Sequence, residues 1–157
     1  MTEPLFKNIH NADKEMLEAY AQASSSINEF IALVESDVKA IYMAKLRFRD
    51  PDLSEELGED RFLYLWLSDI FFHKEEGLLS GVFFEVPEEL KKWHQIGQRL
   101  GFDPEDVFDW MVIENGHAKG GFTIRVTRNQ LSSEQEQAEY DRYVGINSYE
   151  PLMGKHI

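Results

Sequence analysis

The sequence contains no cysteine. That excludes a disulfide framework, a thiolate zinc site and a cysteine nucleophile, and it fits a reducing compartment. Glycine and proline are sparse, 10 and 5 of 157 residues, so collagen-like and low-complexity classes are excluded as well. Basic residues are few: 16 Lys and Arg stand against 29 Asp and Glu, for a net charge of −13. Such a field repels a phosphate backbone and an anionic membrane, so neither nucleic acid nor membrane is expected as a partner. It admits a basic protein partner, and it also keeps a chain in solution. No apolar run approaches the ~18 residues of a membrane span. The opening Met1-Thr2-Glu3-Pro4-Leu5-Phe6-Lys7 lacks the basic and apolar regions of a signal peptide. Cytoplasm is the expected location.

Hydrophobic residues make up 43% and aromatics 13%, enough for the core of one domain. The expected core spans residues 12–144, with loose termini at 1–10 and 146–157. Met16, Tyr20, Ala23, Ile27, Phe30 and Val34 recur at steps of 3 and 4, the stripe of an amphipathic helix. Ser24-Ser25-Ser26 weakens it midway and invites a bend. Residues 38–49 alternate, with Tyr42, Ala44, Leu46 and Phe48 on one face and Met43, Lys45, Arg47 and Arg49 on the other, which predicts a strand. Residues 53–60 read as an acidic connection. Residues 61–72 read as a strand buried on both faces, paired through a turn at 73–77 with a third strand over 78–85. A short helix follows Pro87, and residues 97–106 read as an irregular link. Residues 107–114 form a strand, and Asn115-Gly116 is a hairpin turn. Residues 123–131 fit either helix or strand. Ser132-Ser133-Glu134-Gln135-Glu136 carries the capping pattern of a final helix, closed by Gly145. The expected fold is α+β: an N-terminal amphipathic helix on an antiparallel sheet of four to six strands, with short C-terminal helices.

Phosphate loops, nucleotide-binding glycine fingerprints, serine-hydrolase elbows and His-Glu-x-x-His are all absent from the sequence. The histidines at 10, 73, 94, 117 and 156 never fall at metal-ligand spacing, so no metal or other cofactor is expected. Adjacent carboxylates such as Glu88-Glu89 read as solvated, here at a helix start where the dipole favours them. The densest constellation spans residues 106–128. Asp109 and Trp110 lie inside an apolar strand, and alternation places Asp109 with Val107, Met111 and Ile113. A carboxylate there needs a partner, and Arg125 or Arg128 is the natural candidate.

At these residues the chain resembles the YegJ-like family of uncharacterised bacterial proteins. The resemblance rests on Phe108-Asp109-Trp110-Met111, Glu114-Asn115-Gly116, Gly120-Gly121-Phe122-Thr123-Ile124-Arg125-Val126 and the Ser132-Ser133-Glu134 helix start. Trp66, Gly81 and Pro87 match its signposts, and Ala44-Lys45-Leu46-Arg47-Phe48 matches its Val-Lys-x-x-Phe strand. It departs at Leu63-Tyr64-Leu65-Trp66, where many members carry Glu-His immediately before Met-Trp. The resemblance implies a helix over the Thr-x-Arg segment. The candidate binding or structural site is therefore Lys45, Trp66, Asp109, Trp110, Thr123 and Arg125.

The leading expectation is a non-catalytic protein-binding or regulatory module with an acidic surface, of inhibitor or immunity type, acting on a basic protein. The alternative is a small-ligand binding domain or a hydrolase, with a pocket near Lys45, Asp109 and Arg125.

Overall fold

A computed structural model describes residues 9–152. Helix α1 (Ile9–Ser25) and helix α2 (Ile27–Glu35) replace one long helix. The break falls at Ser26, whose hydroxyl donates back to the Gln22 carbonyl at 2.7 Å, so the serine run does end the first helix. Strand β1 (Ile41–Arg49) is followed by helix α3 (Pro51–Leu57). Asp50 starts that helix by accepting a hydrogen bond from the Leu53 N–H at 3.1 Å, and Pro51 suits its first turn. The segment read as an acidic connection is thus partly helical. Strands β2 (Phe62–His73), β3 (Leu78–Phe83) and β4 (Arg99–Phe102) follow, then β5 (Val107–Glu114) and β6 (His117–Gly120). Helix α4 (Phe122–Asn129), helix α5 (Glu134–Val144) and the two-residue strand β7 (Ser148–Tyr149) complete the fold.

The strands form one sheet in the order β4-β3-β2-β1-β5-β6-β7. Every neighbouring pair is antiparallel except β6 and β7, which run parallel. The fold is α+β as expected, with N-terminal helices on the sheet and helices at the C-terminal side. The sheet is wider than expected because the 97–106 link contains β4 and the tail contains β7. Ile146 is buried, so the looseness expected from residue 146 does not hold for 146–149. Residues 1–8 and 153–157, also expected to be loose or a polar lead-in, lie outside the described residues. The helix expected after Pro87 is only a 3-10 turn, Glu88–Leu90.

One face of the sheet carries the main core. Ala19, Ala23 and Phe30 of the first two helices meet Ala44, Leu46, Leu67 and Trp110 of the strands. Phe30 stacks on Trp110 with ring centroids 5.2 Å apart. A smaller core, with Met111, Ile113, Ala118 and Ile146 at its centre, packs with Met43, Trp66, Ile124, Val144 and Tyr149. Strand β2 is not buried on both faces, since Phe62, Tyr64 and Phe71 are exposed. No helix among the described residues is long and apolar enough to cross a membrane.

Candidate functional site

The site begins with register. On β1, Lys45 lies opposite Trp66 of β2 and opposite Asp109 of β5. Cross-strand partners share a face, so Trp66, Lys45 and Asp109 form a row across three strands. Between Lys45 and Leu46 the register with β5 shifts, and Leu46 pairs with Val107. Phe108 is the extra residue of a β-bulge. The bulge turns Val107 onto the face of Leu46, so Val107 does not share a face with Asp109 as simple alternation predicts.

Asp109 is 0% exposed, and both of its oxygens are committed. Oδ1 accepts from the Trp110 N–H at 2.8 Å and the Phe122 N–H at 3.1 Å. Oδ2 accepts from the Thr123 N–H at 2.7 Å and the Thr123 hydroxyl at 2.5 Å. Phe122 and Thr123 open α4, whose N-cap residue, Gly121, has no side chain to cap with. The carboxylate on β5 does that work from outside the helix, where the unpaired amides and the dipole favour a negative charge. Gly120 and Gly121 make this approach feasible. Both have positive φ, and a Cβ on Gly120 would collide with the Trp110 carbonyl and ring.

Lys45 completes the cluster. Its Nζ donates to Thr123 Oγ1 at 3.3 Å and lies 5.5 and 5.9 Å from the Tyr64 and Trp66 ring centroids. Burial pushes the Asp109 carboxyl up to about 6, against the pull of the Thr123 and Phe122 hydrogen bonds and of Lys45. It is therefore ionised at neutral pH. Burial also lowers the Lys45 pKa, with Asp109 opposing. Asp109 and Thr123 are enclosed, while Lys45 and Trp66 are half-buried.

The arginines go elsewhere. Arg125 Nε donates to the Gly120 carbonyl at 2.9 Å and Nη1 to the Glu150 carbonyl at 2.8 Å. Its guanidinium lies 5.2 Å from the Tyr149 ring centroid. Arg128 pairs with Asp141 at 2.8 Å, and Asp141 also accepts from the Tyr149 hydroxyl at 2.7 Å. The expected pairing of Asp109 with Arg125 or Arg128 is not made. The start of α4 saturates the carboxylate, and the next turn of the helix carries both arginines to the C-terminal segment.

Trp110 points to the main core, where its Nε1 donates to Ser26 Oγ at 3.0 Å. Trp110 and Arg125 line a cleft of about 320 Å³ with Gln22, Ser26, Lys119 and Glu150. Neither Lys45 nor Asp109 is part of its wall, so the expected shared pocket of Lys45, Asp109 and Arg125 does not form. The six candidate residues divide into the Trp66–Lys45–Asp109–Thr123 row, the core residue Trp110, and Arg125 at a separate cleft. Ser26, Asp141, Tyr149 and Glu150 were missed from sequence. Ser26 sits in a run that reads only as weak helix, and Tyr149 and Glu150 fall in the stretch that reads as tail.

Among the described residues, no group of three His, Asp or Glu side chains is placed to hold a metal ion. His73 bonds Ser80 Oγ at 2.8 Å, and His117 bonds Ser148 and Glu150, each at 2.7 Å. These two are therefore tied to neighbours rather than solvated in turns.

A protein of Neisseria meningitidis serogroup B that is named for ankyrin repeats is 37% identical over 97 residues, which cover 60% of this chain and 36% of that protein. The chain thus spans little more than a third of that relative. No solved structure matches the chain. The model of the DUF2314 family, described as an uncharacterized protein conserved in bacteria, matches residues 13–148. That match takes the place of the YegJ-like assignment to which the motifs pointed: the chain belongs to the DUF2314 family.

Proposed function

We propose that this domain is a non-catalytic binding module that presents an acidic surface to a basic protein. The observation that carries the reading is the closed state of Asp109. It is the one strongly perturbed carboxylate in the strand-and-helix cluster, and its oxygens hold three N–H groups and a hydroxyl of the fold itself. A general acid or base must reach a substrate proton, and this carboxylate is fully enclosed. Its work is to fasten α4 to the sheet. What remains for function is the outer surface, and the chain as a whole carries 13 more acidic than basic residues. Such a charge steers a basic partner and speeds its encounter.

The test is capture from a lysate of the encoding bacterium with the tagged chain, at low and at high salt, followed by reconstitution with the purified captured protein. The reading expects a basic protein bound at low salt and released at high salt. Turnover of a substrate that depends on Asp109 would overturn it.

A second reading has one observation in its favour. Arg125 Nη2 is buried and has no hydrogen-bond partner among the described residues, and the side chain lines the 320 Å³ cleft. A guanidinium so placed suits a small carboxylate ligand. Titration calorimetry with a panel of carboxylates tests this, since binding that is lost in Lys119→Ala would favour it.

A further inference from the structure

We propose that the partner docks in the cleft between α3 and the 3-10 turn Glu88–Leu90, and that the docking element is a basic amphipathic helix. The inference rests on the binding-module reading and gives it an address. The cleft holds about 500 Å³, and its wall includes the exposed carboxylates Asp52, Glu56, Glu88 and Glu89. Lys92 is the one cation in that wall, and its ammonium is already bound to Asp52 at 2.9 Å. The balance in the cleft is therefore negative, even with Lys91 bound to Glu88 at 3.1 Å.

Leu53 lines the cleft, and two further exposed apolar side chains stand on the segments that flank it. Leu53 is 38% exposed and Leu57, one turn further along α3, is 47% exposed. Trp93 is 46% exposed, and its ring centroid lies 5.7 Å from Lys92 Nζ. The Lys92 ammonium thus joins Trp93 to Asp52 and so to the cleft. Leu53 thus lies in the charged wall, with Leu57 beside it on α3 and Trp93 next to Lys92 at its margin. Exposed apolar groups beside a charged rim suit a protein partner, an aromatic being a frequent anchor. The charge fixes the occupant. Lysines or arginines on one side of a helix would meet the four carboxylates, and leucine-type residues on the other would meet Leu53, Leu57 and Trp93.

The exposed Phe62 and Tyr64 on β2 do not compete for such a partner. There Arg47 already lies over Phe62, its guanidinium carbon 4.1 Å from the ring centroid, and the Lys45 ammonium lies by Tyr64. Cations belonging to the chain itself occupy that face and repel a basic segment.

The test is a titration of the full-length, nitrogen-15-labelled chain with a synthetic Lys/Leu amphipathic helical peptide, followed by amide chemical shifts. The expected shifts fall on residues 52–57 and 88–94. Affinity should drop about tenfold in Trp93→Ala and in the double variant Glu88→Lys with Glu89→Lys. The double variant Glu75→Lys with Glu76→Lys carries the same charge change in the β2–β3 turn and should bind as the parent does. All the replaced side chains are exposed, and melting curves confirm that each variant is folded. Shifts centred on another acidic surface would overturn the address while leaving the basic-partner reading in place. An absence of binding at low salt would overturn both. Equal losses in the two charge variants would show diffuse attraction in place of a docking site, and would overturn the proposal.

Discussion

At the scale of single residues, Asp109 holds the account together. Removing its carboxylate leaves the Trp110, Phe122 and Thr123 N–H groups without an acceptor, along with the Thr123 hydroxyl. Each unmet buried donor costs about 1–3 kcal/mol, so Asp109→Ala should destabilise the fold by about 3 kcal/mol or more, read as a fall in urea midpoint at constant slope. Thr123→Val keeps the shape and removes the hydroxyl that joins Asp109 to Lys45, and it should cost about 1–2 kcal/mol in the same assay. The pH dependence has a definite sign. In the folded chain the Asp109 carboxyl titrates at about 6, whereas an unfolded aspartate titrates near 3.9. Between those values the folded state keeps a proton that the unfolded state has released. The contribution of Asp109 to stability is thus fully present below about pH 4 and is lost as the pH rises through 6. The loss is on the order of 2–3 kcal/mol and should vanish from the pH profile of Asp109→Asn. The need for a partner was legible in the sequence, because a carboxylate among Met111 and Ile113 cannot stay unpaired. The identity of the partner was not legible. Backbone amides carry no sequence signature, while the side chains of Arg125 and Arg128 do.

Elements were legible where their signals are chemical and local. Asn115-Gly116 gave the β5–β6 turn, with φ of 52° and 80° at the two residues, as a two-residue hairpin requires. The capping pattern located α5, where Ser133 accepts the Glu136 N–H at 3.1 Å. Ser133→Ala should cost about 1 kcal/mol, measured by thermal unfolding. Elements whose only signal is pairing were missed. The four residues of β4 include a glycine, the two of β7 are too few to show a period, and the bulge at Phe108 leaves no trace because it depends on the register of another strand. Helix α3 has a readable start at Asp50-Pro51 but only seven residues, too short for a stripe. Gly120 tests how α4 is joined to the sheet. Gly120→Ala would force a positive φ on alanine and push its Cβ into Trp110. It should destabilise by several times the ~1 kcal/mol of an ordinary Gly/Ala exchange, and a melting point close to that of the parent would show that the join is loose.

At the scale of the molecule, the order of helical and alternating segments anticipated the α+β fold, and the residue counts gave the excess of negative charge. The division of the candidate residues into a row around Asp109 and a separate cleft was not legible, because it depends on which way one helical turn carries Arg125 and Arg128. The enclosed Asp109 shows how a cluster with a perturbed carboxylate and a lysine can serve the fold: it ties the start of α4 to the sheet. The recognition of a basic protein through charge, as proposed above, is tested by the association rate of the purified captured partner across a range of ionic strength, by stopped-flow mixing. That rate should fall about tenfold or more as salt rises from low to physiological levels, with a dissociation rate that changes far less. A rate indifferent to salt, or a captured partner that is itself acidic, would contradict it.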